Sequence, residues 1–179
     1  MNTKGIYALI FILFLLLSGC NSGNAGGITI SDISIHKIGD TKSKVSYGMS
    51  RSEAEKVLGT GEKGAFGYEY KSGVTIMYRD NKVVGLVLNK DSAYEHSSLK
   101  IGMLKDELKK IYGNNFFLET PLNLDYAYDS INKTYLNESS PAISQEEAEK
   151  VYVVSVMFDE NGYANRIMLL DRRMAIYLN

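Results

Sequence analysis

Apolar positions along the chain follow two periods, and the change from one to the other marks the elements. At Ala54, Val57 and Leu58 the spacing is helical, and again at Leu104, Leu108, Ile111 and Tyr112. After each stretch the period drops to two. Phe66, Tyr68 and Tyr70 alternate, then Val74, Ile76 and Tyr78, then Val84, Leu86 and Leu88; later come Val154, Val156 and Phe158, then Ile167 and Leu169. Such alternation predicts strands with one face buried. Lys71-Ser72-Gly73, Arg79–Lys82 and Asp159–Gly162 separate the runs as turns, and Asn161-Gly162 is a favourable turn pair.

The helical stretches belong to a sequence that occurs twice. Tyr47–Gly59 and Ile101–Gly113 start fifty-four residues apart and agree at five of thirteen positions: Gly48/Gly102, Met49/Met103, Glu53/Glu107, Lys56/Lys110 and Gly59/Gly113. In the first copy Ser50 is a good N-cap and Glu53 completes a capping box by reaching back to the cap amide. Gly59 stands where a left-handed C-terminal residue is wanted. In the second copy Leu104 replaces the capping serine. Helices this short are marginal alone in water, so each must lay its apolar stripe on the strands that follow. The expectation is an α+β fold: two tandem helix-plus-antiparallel-meander repeats forming a small sheet with helices on one face. Repeat 1 spans 45–92 and repeat 2 spans 93–179. Alternate meander residues, Met77 and Val87 among them, should face away from the helices as an apolar patch, unless another segment folds over them.

The second repeat carries an insertion at about 114–149 that holds both prolines, Pro121 and Pro141, and a capped short helix at Ser144–Glu147. It also holds Tyr126, Tyr128 and Tyr135. Insertions in repeats map to loops, and loops often carry function. These three tyrosines are therefore the candidate partner contact. The alternative is a surface loop that packs its own tyrosines.

Residues 1–19 stand outside this pattern. Lys4 gives a small basic start, and Ile6 to Leu17 is an apolar run shorter than the roughly 20 residues of a membrane span. Leu17-Ser18-Gly19-Cys20 resembles the bacterial lipobox, which implies a signal peptide at 1–19 and a diacylglyceryl, often further acylated, Cys20. Cys20 is the only cysteine, so no internal disulfide is possible. More than one acyl chain gives stable anchoring where a single chain is reversible. Residues 20–44 are then the lipidated cysteine, a flexible Gly/Asn/Ser tether and a possible opening strand over Ile28, Ile30, Ile33 and Ile35. Lysine outnumbers arginine fifteen to five, a composition that points weakly to a low-GC Gram-positive source.

Charge and motifs exclude several classes of function. Without Lys4 the chain has nineteen basic and twenty-one acidic residues, a balance with no electrostatic footprint for nucleic acid. Gly59-x-Gly61-x-x-Gly64 closes a helix instead of opening one, so it is a turn and not a dinucleotide loop. Ser97-x-x-Lys100 lacks the companion motifs of penicillin-interacting enzymes. His36 and His96 are isolated in sequence, which argues against zinc, and Asp159–Gly162 lacks oxygen ligands at later calcium-loop positions. Arg172-Arg173 reads as a solvated chain end. No catalytic residue, cofactor or metal is expected.

Gly-Met-x-x-x-Glu, an apolar run and Gly, followed by a Tyr- and Val-rich meander, resembles a group of envelope proteins. The group includes the β-lactamase-inhibitor-protein-like tandem repeats and the SmpA/OmlA (BamE-type) outer-membrane lipoproteins. The resemblance covers Tyr47–Leu88 and Ile101–Leu170, and it implies a non-enzymatic module that binds other proteins. The expected function is a protein-interaction lipoprotein on the extracytoplasmic face of the cell membrane, held by Cys20, with an envelope protein as partner. Alternatives are an outer-membrane assembly lipoprotein, or a cell-wall hydrolase or small-ligand binder.

Overall fold

The computed structural model describes residues 26–176; Cys20 and the segment 1–19 lie outside the described residues. After a 3-10 turn at Ile30–Asp32 come β1 (Ser34–Lys37) and β2 (Asp40–Ser46), then α1 (Arg51–Leu58). β3 (Glu62–Lys63), β4 (Tyr68–Glu69), β5 (Val74–Arg79), β6 (Lys82–Asn89) and β7 (Tyr94–Glu95) follow. The second half holds α2 (Lys105–Tyr112), β8 (Leu118–Thr120), β9 (Asn123–Asp129), β10 (Thr134–Leu136) and α3 (Gln145–Ala148), and ends with β11 (Val151–Phe158), β12 (Ala164–Asp171) and α4 (Arg172–Ile176). The strands form a small sheet, β2-β1-β7, and a nine-stranded one, β10-β9-β11-β12-β6-β5-β4-β3 with β8 also on β9. All pairings are antiparallel, so the fold is mixed α+β.

The two Gly-Met stretches make matching local contacts. Gly48 donates its amide to Val83 O at 2.8 Å, and Val83 donates to Met49 O at 2.8 Å. Gly102 and Ala164 do the same, at 2.7 Å from Gly102 N to Ala164 O and 2.9 Å from Ala164 N to Met103 O. Each stretch is thereby clamped to the start of a hairpin's second strand. Gly48 and Gly102 take φ of +80° and +85°, which glycine adopts without a Cβ clash. Glu53 accepts from the Ser50 amide at 2.9 Å and Glu107 from the Leu104 amide at 2.7 Å. Only Ser50 returns the favour, accepting from Glu53 N at 3.3 Å; Leu104 has no acceptor to offer.

The hairpins β5–β6 and β11–β12 join through β6 and β12, where Leu86 faces Leu169 and Leu88 faces Ile167. The β5–β6 turn places Asp80 and Asn81 at positive φ, as a two-residue turn matched to strand twist requires. One face of this large sheet presents Val74, Ile76, Leu86, Leu88, Val154, Val156, Ile167 and Leu169. Against it pack Ala54 of α1, Leu108 and Tyr112 of α2, Ile33 just before β1, and Ile35 and Val45 of the small sheet. The isoleucine run is thus interrupted: Ile30 starts the 3-10 turn and is exposed, while Ile33 and Ile35 enter the core.

Two features differ from the sequence reading, and a third decides between alternatives it left open. The 114–149 segment is not a loop, because Leu124, Tyr126 and Tyr128 alternate on a full strand that extends the sheet beyond β11. Helices do not all lie on one face, since Met174 and Ala175 of α4 pack on the opposite one. And that opposite face is no open patch around Met77 and Val87, both of which are buried in a second cluster with Val153 and Leu170. Phe117 and Ile143, from the 114–149 segment, pack there with α4.

Candidate functional site: a tyrosine cluster that seats the N-terminal segment

The period-two pattern of β9 directs Tyr126 and Tyr128 to the helix-bearing face, and β10 sets Tyr135 directly opposite Tyr128. The rings of Tyr128 and Tyr135 meet edge to face at 5.0 Å between centroids, and Tyr126 meets Tyr135 at 6.1 Å. Tyr126 also lies 5.2 Å from Tyr112 of α2. Such pairs contribute about 0.5–1.5 kcal/mol each beyond burial. Tyr126 is fully buried, and its hydroxyl donates to Gly113 O at 2.7 Å, closing the carbonyl end of α2.

Tyr128 and Tyr135 are half-buried and hold the start of the described chain. Tyr135 donates its hydroxyl to Gly26 O at 3.1 Å. A Cβ on Gly27 would stand 1.8 Å from Tyr128 Cζ, so any side chain there would have to displace the Tyr128 ring. Ile28 then plunges into the core. Gly26 and Gly27, tether residues by composition, are seated. Burial, and then the neighbouring Tyr128, push the Tyr135 phenol up to about 12, so it stays a donor at any ordinary pH. Of the three tyrosines expected to contact a partner, Tyr126 presents no surface at all. The other two are turned towards the protein's own N-terminal segment.

Beside this cluster a cleft of about 390 Å³ opens between Asn114, Asn115 and Phe116 on one side and Thr134, Tyr135 and Asn137 on the other. Its lining is amide, hydroxyl and ring, chemistry suited to an uncharged polar ligand.

A buried ionic node at the end of β12 had no sequence signal. Asp171 is fully buried; its carboxylate accepts from Arg79 Nη2 at 2.7 Å, Arg79 Nη1 at 3.3 Å, Tyr47 OH at 2.7 Å and the Met174 amide at 2.8 Å. Arg79 Nε lies 3.5 Å from Glu149, which also pairs with Arg173. Burial and the Asp171 carboxylate push the Tyr47 hydroxyl far up. All four lone-pair directions of Asp171 are used, as a buried carboxylate demands. Arg172-Arg173 is accordingly not a solvated chain end: Arg173 joins this node and the Arg172 guanidinium lies 5.1 Å from the Phe117 ring centre.

The other singled-out residues have local duties. His96 is buried, and its Nδ1 accepts from the Ser98 and Leu99 amides at 3.1 and 3.2 Å. His36 Nε2 stands 3.5 Å from Glu95, which Lys100 also approaches at 3.6 Å. Asp159 braces its turn by accepting from the Asn161 and Tyr163 amides. Among the described residues no group of three or more His, Cys, Asp or Glu side chains is placed to hold a metal ion.

Two outcomes follow from this geometry. Tyr126→Ala should destabilise by about 3–5 kcal/mol, as truncating a buried aromatic does; an unmoved thermal midpoint would show that the ring is dispensable. The second concerns pH. His96 receives two amides on Nδ1, and burial lowers its pKa below the usual 6.5, with His36 and Lys44 adding to the effect and Asp32 opposing it. Above pH 6.5 both states are neutral and the contribution is complete. As pH falls from there towards the folded pKa, the unfolded chain takes a proton that the fold refuses, and stability drops. The carboxylates of Glu53, Asp129 and Glu147, all depressed by hydrogen bonds, act only below about 4.5. Denaturation at pH 7 and pH 5 should therefore show a loss in the wild type and little in His96→Gln. Equal slopes would reject the assignment.

The chain matches no family model, no curated protein and no solved structure.

Proposed function

We propose that the chain is a lipid-anchored lipoprotein of the extracytoplasmic face, held by Cys20, and that it is a non-enzymatic module for binding another envelope protein. We read its body as two tandem units, a reading supported by the matching clamps at Gly48–Val83 and Gly102–Ala164. Anchoring is supported by the lipobox at Leu17–Cys20. No described helix is long and apolar enough to cross a membrane.

The observation that carries the binding function is an exchange between the two clamps. Where the first unit sets Ser50 opposite Lys82, the second sets Leu104 opposite Tyr163. Both are well exposed, at 42% and 48%. A leucine cap forfeits about 1 kcal/mol of helix stability and leaves apolar surface in water, neither of which the fold needs. Leu122, also exposed, lies at the same end of the sheet: its carbonyl accepts from the Phe158 amide at 2.8 Å, one residue before the turn that leads to Tyr163. Lys105 holds that β8–β9 turn through Thr120 O and Pro121 O. Leu104, Leu122 and Tyr163 thus make an apolar edge on rigid supports, the anatomy of a contact patch.

A second reading, a binder of a small neutral ligand, is favoured by the cleft between Asn115 and Asn137. Chemical shifts confined to those residues on titration with neutral sugars would select it.

Leu104→Ser should restore the cap and raise stability by about 0.5–2 kcal/mol while abolishing crosslinking to a partner on intact cells. A stabilised variant that crosslinks as before would remove the patch from consideration. Cys20→Ser should abolish labelling by a fatty-acid probe and release the protein from the membrane fraction; undiminished labelling would end the anchoring reading.

A further inference from the structure

We propose that the β9–β10 hairpin tip, with Ile131 at its apex, rests in the interfacial layer of the lipid bilayer, and that the apolar edge at Leu104, Leu122 and Tyr163 points away from it. The proposal rests on the anchoring reading and adds an orientation to it.

The length of the tether and its point of attachment carry the argument. Gly26 stands six positions after Cys20, and six extended residue steps reach at most about 20 Å. Gly26 is bound by Tyr135, and Gly27 lies on Tyr128, the penultimate residue of β9. An anchored Cys20 therefore keeps this end of β9 within about 20 Å of the membrane.

The surface at that end suits a lipid interface. Ile131 is 68% exposed, the highest value among the described large hydrophobic residues. Its turn is stiffened by Asp129, whose carboxylate accepts from the Ile131 and Asn132 amides, both at 2.9 Å, and from Asn132 Nδ2 at 2.8 Å. That carboxylate is occupied with the turn, while Lys133, exposed two residues past Ile131, offers a cation to lipid phosphates. An isoleucine at the acyl boundary, a lysine at the phosphate level and half-buried tyrosines just behind are the residue types that settle at a bilayer interface. Leu122 sits at the opposite end of β9, seven residues and about 20 Å away. The strand thus separates a membrane pole from the partner edge.

The test uses the full-length protein lipidated at Cys20 and inserted in phosphatidylcholine–phosphatidylglycerol vesicles. Ile131→Cys and Leu122→Cys, each labelled with an environment-sensitive dye, report on the two poles. Flotation with the vesicles measures anchoring separately. The proposal expects flotation of both, a blue shift and at least two-fold stronger quenching by spin-labelled lipid at position 131, and neither effect at 122. Flotation without quenching at 131 overturns the orientation and leaves anchoring standing. Equal quenching at both positions also overturns it, as does a blue shift at 131 on intact cells without quenching in vesicles, which would assign the tip to a protein partner. Failure to float overturns the anchoring reading and the orientation together.

Discussion

The pairing of β6 with β12 is the contact on which the rest of the molecule depends. Each hairpin alone would be marginal, because two strands bury too little to hold together in water. Joined at Leu86–Leu169 and Leu88–Ile167, the hairpins make a continuous apolar face wide enough for α1, α2 and the small sheet to cover. The clamps at Val83 and Ala164 follow from this seam, since both sit at the first turns of the central strands. The two halves of the chain therefore stabilise one another through backbone pairing and a shared core.

The tyrosines of β9 and β10 show how a sheet edge becomes a socket. Edge strands need protection: β10 and β8 both pair with β9, and the Gly26–Gly27 segment lies on the rings of Tyr135 and Tyr128. The socket needs the ring of Tyr128 and the absence of a side chain on Gly27 together. It also sets where the chain arriving from Cys20 meets the domain. The exposed Leu104 and Tyr163 are bridged as the polar Ser50 and Lys82 are at the other Gly-Met clamp.

The helices α1, α2 and α3, the main hairpins and the turn residues were legible in the chain, because each depends on neighbours within a few positions. The Ser50–Glu53 box, glycines at positive φ and the alternation of Val74, Ile76 and Tyr78 all act locally. β9 was legible as well, through Leu124, Tyr126 and Tyr128, but its place in an apparent insertion and the flanking prolines argued for a loop. Strand alternation was the stronger physical signal, for a neighbouring β11 edge gave it a partner.

What the sequence by itself determined is the set of short elements and the doubled Gly-Met motif. Tertiary structure decided which of those elements share a face and which polar groups are buried. Arg79 meets Asp171 across 92 positions, and Tyr135 meets Gly26 across 109. No period links such residues, and each is an ordinary surface type until the fold removes water from around it. Local preference acts through the backbone of a few residues, whereas a buried ion pair or a ring under a glycine exists only once distant strands are in register.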